Sequence, residues 1–225
     1  MSRERLFPAR KSIHRILLVD PMEVVRIGLA KIIGAASHLI VSATTGDCDD
    51  VPDLIERHQP HVMIAEPFQQ NRDGIMWIKD LAREFPQMKI LVASSNAEAT
   101  YAERALRAGA SGYWMKSGTA DELLEAIDTV LSGELYVSPR VALLAVHKLV
   151  DRPVKGSGQV GLLSDRELHV FALIGASHGV GRIAQELNIS RKTVESHCEH
   201  IKLKLGYRDA ETLKHGARQF LEPRN

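Results

Sequence analysis

Five short apolar runs, each followed by a stretch with helical spacing, constrain the fold of this 225-residue chain more than any other feature. The runs are Arg15–Val19, Leu39–Ala43, Val62–Ala65, Ile90–Ala93 and Gly112–Met115. Between them apolar residues recur at helical intervals, as in Val24, Val25, Ile27, Gly28, Ala30, Lys31 and Ile32, and later in Leu123, Leu124, Ile127 and Leu131. Strands alternating with helices imply a parallel sheet covered on both faces. The first, third and fourth runs are continuously apolar, as strands buried on both faces must be. The expected fold is α/β, a doubly wound five-stranded parallel sheet, followed by a small all-α domain.

The break between the two falls at 151–161 (DRPVKGSGQVG), where Pro153, Gly156, Gly158 and Gly161 interrupt any apolar periodicity and predict a flexible linker. Charge divides weakly at that point. Residues 1–150 hold 17 Lys/Arg against 19 Asp/Glu, whereas 162–225 hold 10 against 8, with five of the ten histidines. The direction permits an anion-binding C-terminal half. No apolar run approaches the ~20 residues that span a bilayer. Met1–His14 carries Arg3, Arg5, Arg10 and Lys11 without an apolar core, unlike a secretory signal. Cys48 and Cys198 lie far apart, as free thiols of a reducing cytoplasm would. The expectation is a cytoplasmic protein with no membrane association.

After the linker the pattern is helical throughout. Ser164 and Glu167 form a capping box ahead of Val170, Phe171 and Ile174. A shorter helix near Gly181–Leu187 turns Ile183, Ala184 and Leu187 inward. Asn188-Ile189-Ser190 then makes a tight turn, with Ser190 as N-cap of a helix carrying Val194, Cys198, Ile201 and Leu205 on one stripe. Gly206 can end that helix. Helix, short turn and helix with a narrow apolar stripe is the helix-turn-helix pattern. The opposite face, Lys192, Glu195, Ser196, Glu199 and Lys202, is left for a major groove, and Arg191, Lys192, Lys202, Lys204 and Arg208 are available to phosphates. Patterning alone fits an ordinary surface helix of a small bundle equally well.

The stretch LSDRELHVFALIGASHGVGRIAQELNISRKTVESHCEHIKLKLG closely resembles the LuxR-type helix-turn-helix domain. Leu163-Ser164-x-Arg166-Glu167, Ile183-Ala184-x-x-Leu187, Ile189-Ser190-x-Lys192-Thr193-Val194, His197 and Lys204-Leu205-Gly206 carry the likeness. It implies that Thr193–Leu205 reads double-stranded DNA, with Lys192, Thr193, Ser196 and His197 facing it, and that the last helix, about Ala210–Phe220, dimerises. Thr193 and His197 can equally cap and pack. Glu195 and Glu199 depart from purely basic variants; an acid there accepts from cytosine N4 or weakens non-specific binding.

In a doubly wound sheet, chemistry gathers at the strands' carboxyl ends. There the sequence places Asp20, Glu66, Ser94 and Lys116, a set able to bind a cation or phosphate or to form an ion pair. HRILLVDPMEVVRIGLAKII, PHVMIAEPFQQNRDGI and KILVASSNAEATYAERALRAGASGYWMKS resemble a response-regulator receiver domain. With the LuxR-type domain, this is the architecture of NarL/FixJ response regulators. The resemblance divides the chain into an N-terminal arm (1–13), a receiver-like domain (14–135), a helix and linker (136–161) and the helix-turn-helix domain (162–225). Ser94, Tyr113 and Lys116 match the family's hydroxyl, aromatic switch and lysine. Receivers commonly dimerise through the face at Ala97–Ala108, which here carries Tyr101, Arg104 and Arg107.

Three positions depart from the family. Glu66 stands where an aspartate accepts the phosphoryl group, Pro21 replaces the second metal-holding acid beside Asp20, and the proline of the loop after the third strand is missing. Pro21 removes a hard oxygen ligand, which makes magnesium binding doubtful. Glu66 lengthens the nucleophile's arm by about one bond, ~1.5 Å, and displaces it from in-line attack. Conventional phosphorylation is therefore not expected, nor any cofactor. Glu66 can imitate the phosphorylated state through Ser94 and Lys116, can be a relic ion pair, or can belong to a crevice for another ligand or partner protein.

The expected function is a DNA-binding transcription regulator, a homodimer, with a receiver that is not phosphorylated. One alternative is an interaction adaptor whose helix-turn-helix has lost DNA binding. The other, an enzyme using the crevice, lacks a nucleophile–base pair, a glycine-rich phosphate loop and a metal-ligand cluster.

Overall fold

The computed structural model describes residues 12–68, 73–149, 160–187 and 189–221. Most of the expected arm and linker, the turn residue Asn188 and loop residues 69–72 lie outside the described residues. Two compact units are present; the first holds all five strands and ends at Ser138, and the second holds the chain from Pro139 on together with Pro67, Phe68 and Asp73 to Trp77.

In the first unit, β1 (His14–Val19), β2 (Leu39–Thr45), β3 (Val62–Ala65), β4 (Lys89–Ser94) and β5 (Gly112–Met115) form one parallel sheet in the order β2-β1-β3-β4-β5. The register pairs Ile16 with Val62, Val62 with Lys89 and Leu91 with Gly112. α1 (Glu23–Gly34), α2 (Val51–His58), α3 (Gly74–Glu84), α4 (Glu98–Arg107) and α5 (Ala120–Leu131) alternate with the strands. All four residues of β3 are buried, as the unbroken apolar run requires. On one face, Ile16, Leu18, Ile64, Leu91 and Ala93 pack with Leu29 and Ile33 of α1 and with Leu123, Ala126, Ile127 and Val130 of α5. Burying each large aliphatic side chain contributes roughly 1.5–3 kcal/mol.

Packing decides two points that spacing left open. Within α1 the inward residues are Leu29 and Ile33, with Val25 and Ile32 partly covered, while Val24 and Ile27 face outward. Apolar residues fill more than one side of this helix, so spacing alone could not choose its buried stripe. Tyr101 is buried within α4 and cannot present itself at an interface. The open edge of β5 is covered by Tyr136, whose carbonyl accepts from Tyr113 N (2.9 Å) and whose amide donates to Ser111 O (3.0 Å). A side chain at Gly112 would bring Cβ within 2.9 Å of that carbonyl, so the strap closes only over glycine.

The second unit contains α6 (Pro139–Leu149), α7 (Asp165–Gly175), α8 (Val180–Glu186), α9 (Arg191–Leu205) and α10 (Ala210–Leu221). The capping box at α7 forms: Ser164 Oγ accepts from Glu167 N (3.3 Å), and Ser164 N donates to Glu167 Oε2 (2.7 Å). A second box, Thr119 with Glu122, starts α5. Val170, Phe171, Ile174, Ile183, Ala184, Leu187, Val194, Ile201 and Leu205 are all buried, and Cys198 is half-buried. Phe171 stacks on Tyr207 (6.2 Å between centroids) and meets Phe220 (5.4 Å), tying α10 to α7.

Candidate functional site

Strand order reverses between β1 and β3, and their carboxyl ends open the crevice of a doubly wound sheet. Backbone bonds Asp20 N to Thr45 O, Glu66 N to Val19 O and Lys116 N to Ser94 O place the three charged residues side by side. Lys116 Nζ lies 2.5 Å from Asp20 Oδ2 and 3.0 Å from Glu66 Oε2. Ser94 Oγ donates to Glu66 Oε1 at 3.0 Å. Both Glu66 oxygens are thus engaged, one by a hydroxyl and one by an ammonium. Asp20 is 2% exposed and Glu66 7%, so the Lys116 ammonium faces both carboxylates away from bulk solvent. Asp20 Oδ1 accepts from Met22 N (2.8 Å), and the Arg26 guanidinium donates to the Asp20 carbonyl (2.6 Å).

Tyr113 is turned inward, 1% exposed, and its hydroxyl donates to Asn96 O at 2.8 Å. Asn96 N in turn donates to Ser94 Oγ (3.1 Å). Burial pushes the Tyr113 phenol far above its ordinary range, against the opposing effect of its hydrogen bond with Ser94, so it remains a donor at any physiological pH. Asn96 and Arg26 escaped the sequence argument because both act at backbone carbonyls, which leave no motif. Pro21 is exposed at the rim.

The second candidate surface is α9. Ser190 caps it, accepting from Thr193 N (3.0 Å) and sharing a hydroxyl bond with Thr193 (2.8 Å). Gly206 ends it in the left-handed conformation, φ 72°. Lys192, Thr193, Glu195, Ser196 and Glu199 are exposed. His197 is half-buried; burial and the Arg166 charge lower its pKa, which favours the neutral ring. Burial likewise raises the Cys198 pKa, favouring the thiol.

Lys202 and Lys204, two of the expected phosphate ligands, have partners inside the domain, whereas Arg191 is exposed. The Arg191 guanidinium lies over Gly181 of α8. Lys202 pairs with Glu199 at 2.9 Å. Lys204 Nζ donates to Glu167 Oε2 at 2.6 Å, with His200 Nδ1 3.8 Å from the other oxygen. Glu167 is buried, which works against its charge; Lys204 and the Ser164 amide and hydroxyl outweigh that and hold its carboxyl below the usual range. The sequence showed Glu167 as half of a cap but not as the anchor joining α7 to α9.

A five-stranded parallel receiver-type sheet with a charged crevice, followed by a capped helix-turn-helix, defines a two-domain regulator. The description "Response regulator receiver domain" matches residues 16–128, and "Bacterial regulatory proteins, luxR family" matches 161–215. The oxygen regulatory protein NreC of Staphylococcus aureus (strain MRSA252) is 31% identical over 204 residues, covering 88% of this chain and 94% of that protein. The transcriptional regulatory protein DegU of Brevibacillus brevis is 28% identical, covering 90% and 94%. In fold, the chain is similar to RcsB of Salmonella enterica serovar Typhimurium, solved on promoter rprA with phosphomimetic beryllofluoride. The TM-score is 0.67 at 23% identity, over 92% of this chain and 99% of that one. The chain belongs to the NarL/FixJ-type response regulators, DNA-binding transcription regulators of two-component systems. Among the described residues, no helix is long and apolar enough to cross a membrane.

Proposed function

We propose that this response regulator controls transcription without phosphoryl transfer, because Glu66 supplies permanently the contacts that a phosphoryl group would make. The observation that carries this is the simultaneous engagement of the two Glu66 oxygens by Ser94 and Lys116, with Tyr113 already turned inward. A buried tyrosine beside an occupied hydroxyl is the arrangement expected of a receiver held in its active conformation.

Magnesium does not fit this donor set. The ion needs several oxygen ligands near 2.0–2.1 Å in octahedral geometry. Here Asp20 and Glu66 are both directed at the Lys116 ammonium, and Pro21 offers no side-chain oxygen. DNA binding belongs to α9 in the second domain, with the chain acting as a homodimer on a two-half-site operator, as RcsB dimers are bound to DNA. Control then falls to oligomeric state, a partner protein at the receiver, or the amount of protein.

The test compares DNA affinity and dimerisation of the wild type with Glu66→Gln and Glu66→Asp. The glutamine removes the charge that Lys116 answers, and the aspartate falls one bond short of Ser94 and Lys116 together. Both variants should weaken operator binding by about 5- to 150-fold, the range of ordinary allosteric coupling. Unchanged binding in Glu66→Gln removes the mimic and leaves a structural ion pair. A gel shift against the gene's own upstream region addresses the adaptor alternative: a specific complex whose affinity falls steeply with salt supports regulation, and none at low salt supports the adaptor.

A further inference from the structure

The first two turns of α9 expose few side chains that are not already engaged. Ser190 and Thr193 are committed to the cap, the exposed Arg191 lies toward Gly181 of α8, Val194 is buried and His197 is half-buried. One turn later Glu199 pairs with Lys202 at 2.9 Å. Lys192, Glu195 and Ser196 remain. They stand at positions i, i+3 and i+4, on one side of the helix, and among the described residues none of the three side chains bonds another group.

A carboxylate that makes no bond on this face has an electrostatic consequence, even with Lys192 one turn before it. A recognition helix enters a groove walled by phosphates, where an anion without a partner is repelled. The major-groove edge compensates it at only two bases, through the amino groups of cytosine N4 and adenine N6. Guanine presents two acceptors there, and thymine an acceptor and a methyl group. Adenine N6 lies beside the N7 acceptor, which repels the second carboxylate oxygen; cytosine N4 has no such neighbour on its own base. We infer that Glu195 is a specificity-determining residue, accepting a hydrogen bond from cytosine N4 and fixing a cytosine at one position of each half-site. The carboxylate weakens binding to duplex lacking that cytosine, so it contributes by exclusion as much as by attraction.

This inference rests on α9 being the DNA-reading helix. It is tested by selecting duplexes from a randomised pool with the full-length wild type, Glu195→Ala and Glu195→Gln, and sequencing what is retained. Glu195 is exposed and unbonded, so the variants should keep the wild-type circular dichroism and unfolding midpoint. The wild type is expected to select a motif with one near-invariant cytosine per half-site. Glu195→Ala should lose discrimination at that position alone, by about 10- to 100-fold, while binding arbitrary duplex at least as tightly. Glu195→Gln, which can pair bidentately with N6 and N7, should move the preference there to adenine. An alanine variant that selects the wild-type motif unchanged at every position overturns the assignment of Glu195 and leaves DNA reading by α9 intact. A wild type that selects no motif at low salt overturns both.

Discussion

Replacing Lys116 by methionine should cost the sheet domain about 3–5 kcal/mol, the range for breaking a buried ion pair from one side. The lysine side chain is 14% exposed and holds Asp20 and Glu66 together. Methionine fills similar volume, so the loss is electrostatic rather than a cavity. Asp20 would keep the bond from Met22 N and Glu66 the bond from Ser94, but the ammonium that bridges the two carboxylates would be gone. For a domain of this size the unfolding midpoint should fall by about 10 °C or more. Denaturant unfolding of the full chain, followed by a probe in the sheet domain, measures the cost. A loss below about 1 kcal/mol, the level of an exposed pair, would show that water screens the crevice. Adding Glu66→Gln to Lys116→Met should recover part of the deficit, since one of the two opposed charges is then gone.

The second large effect has a sign that helix propensity predicts wrongly. Glycine to alanine in a helix ordinarily gains up to ~1 kcal/mol. Gly175, at the end of α7, lies directly under the backbone carbonyl of Ala217 in α10, and an added Cβ would collide with it. A carbonyl of a packed helix cannot rotate aside as a side chain can, so α10 has to move as a body. Gly175→Ala should therefore destabilise the helical domain by about 1–3 kcal/mol and loosen the Phe171–Phe220 contact. Thermal unfolding of the domain checks the sign. Stabilisation instead of loss would mean that α10 is held far less closely than the helix–helix contact implies.

Much of this fold was legible because its strands are buried on both faces. An unbroken run such as Val62–Ala65 has few alternatives between a proline and a charged residue, and its bounds match the structure. The capping box at Ser164 and the left-handed stop at Gly206 were readable for a similar reason, since few residues perform those tasks. What escaped were choices made by tertiary contact. α1 has apolar residues on several sides, and only the packed structure selects Leu29 and Ile33 over Val24 and Ile27. Lys202 and Lys204 look like phosphate ligands in sequence, yet each has an acid within 3 Å; Glu199 stands one turn before Lys202 on the same helix, whereas Glu167 reaches Lys204 only through the stacking of α7 on α9. The crevice residues could be placed at strand ends from the alternation alone. That Glu66 reaches Ser94 and Lys116 together depends on side-chain length and on strand register.

The central claim, a receiver that works without a phosphoryl group, is tested most directly by the affinity of the full-length protein for its own upstream DNA. That affinity should be measured with and without magnesium and beryllofluoride, at fixed salt. Glu66 already occupies the contacts, and Pro21 removes a metal ligand, so the two affinities should agree within about a factor of two. A tightening of about tenfold or more, equivalent to ~1.4 kcal/mol, would show that the crevice still accepts the metal and the phosphoryl mimic, and would contradict the account.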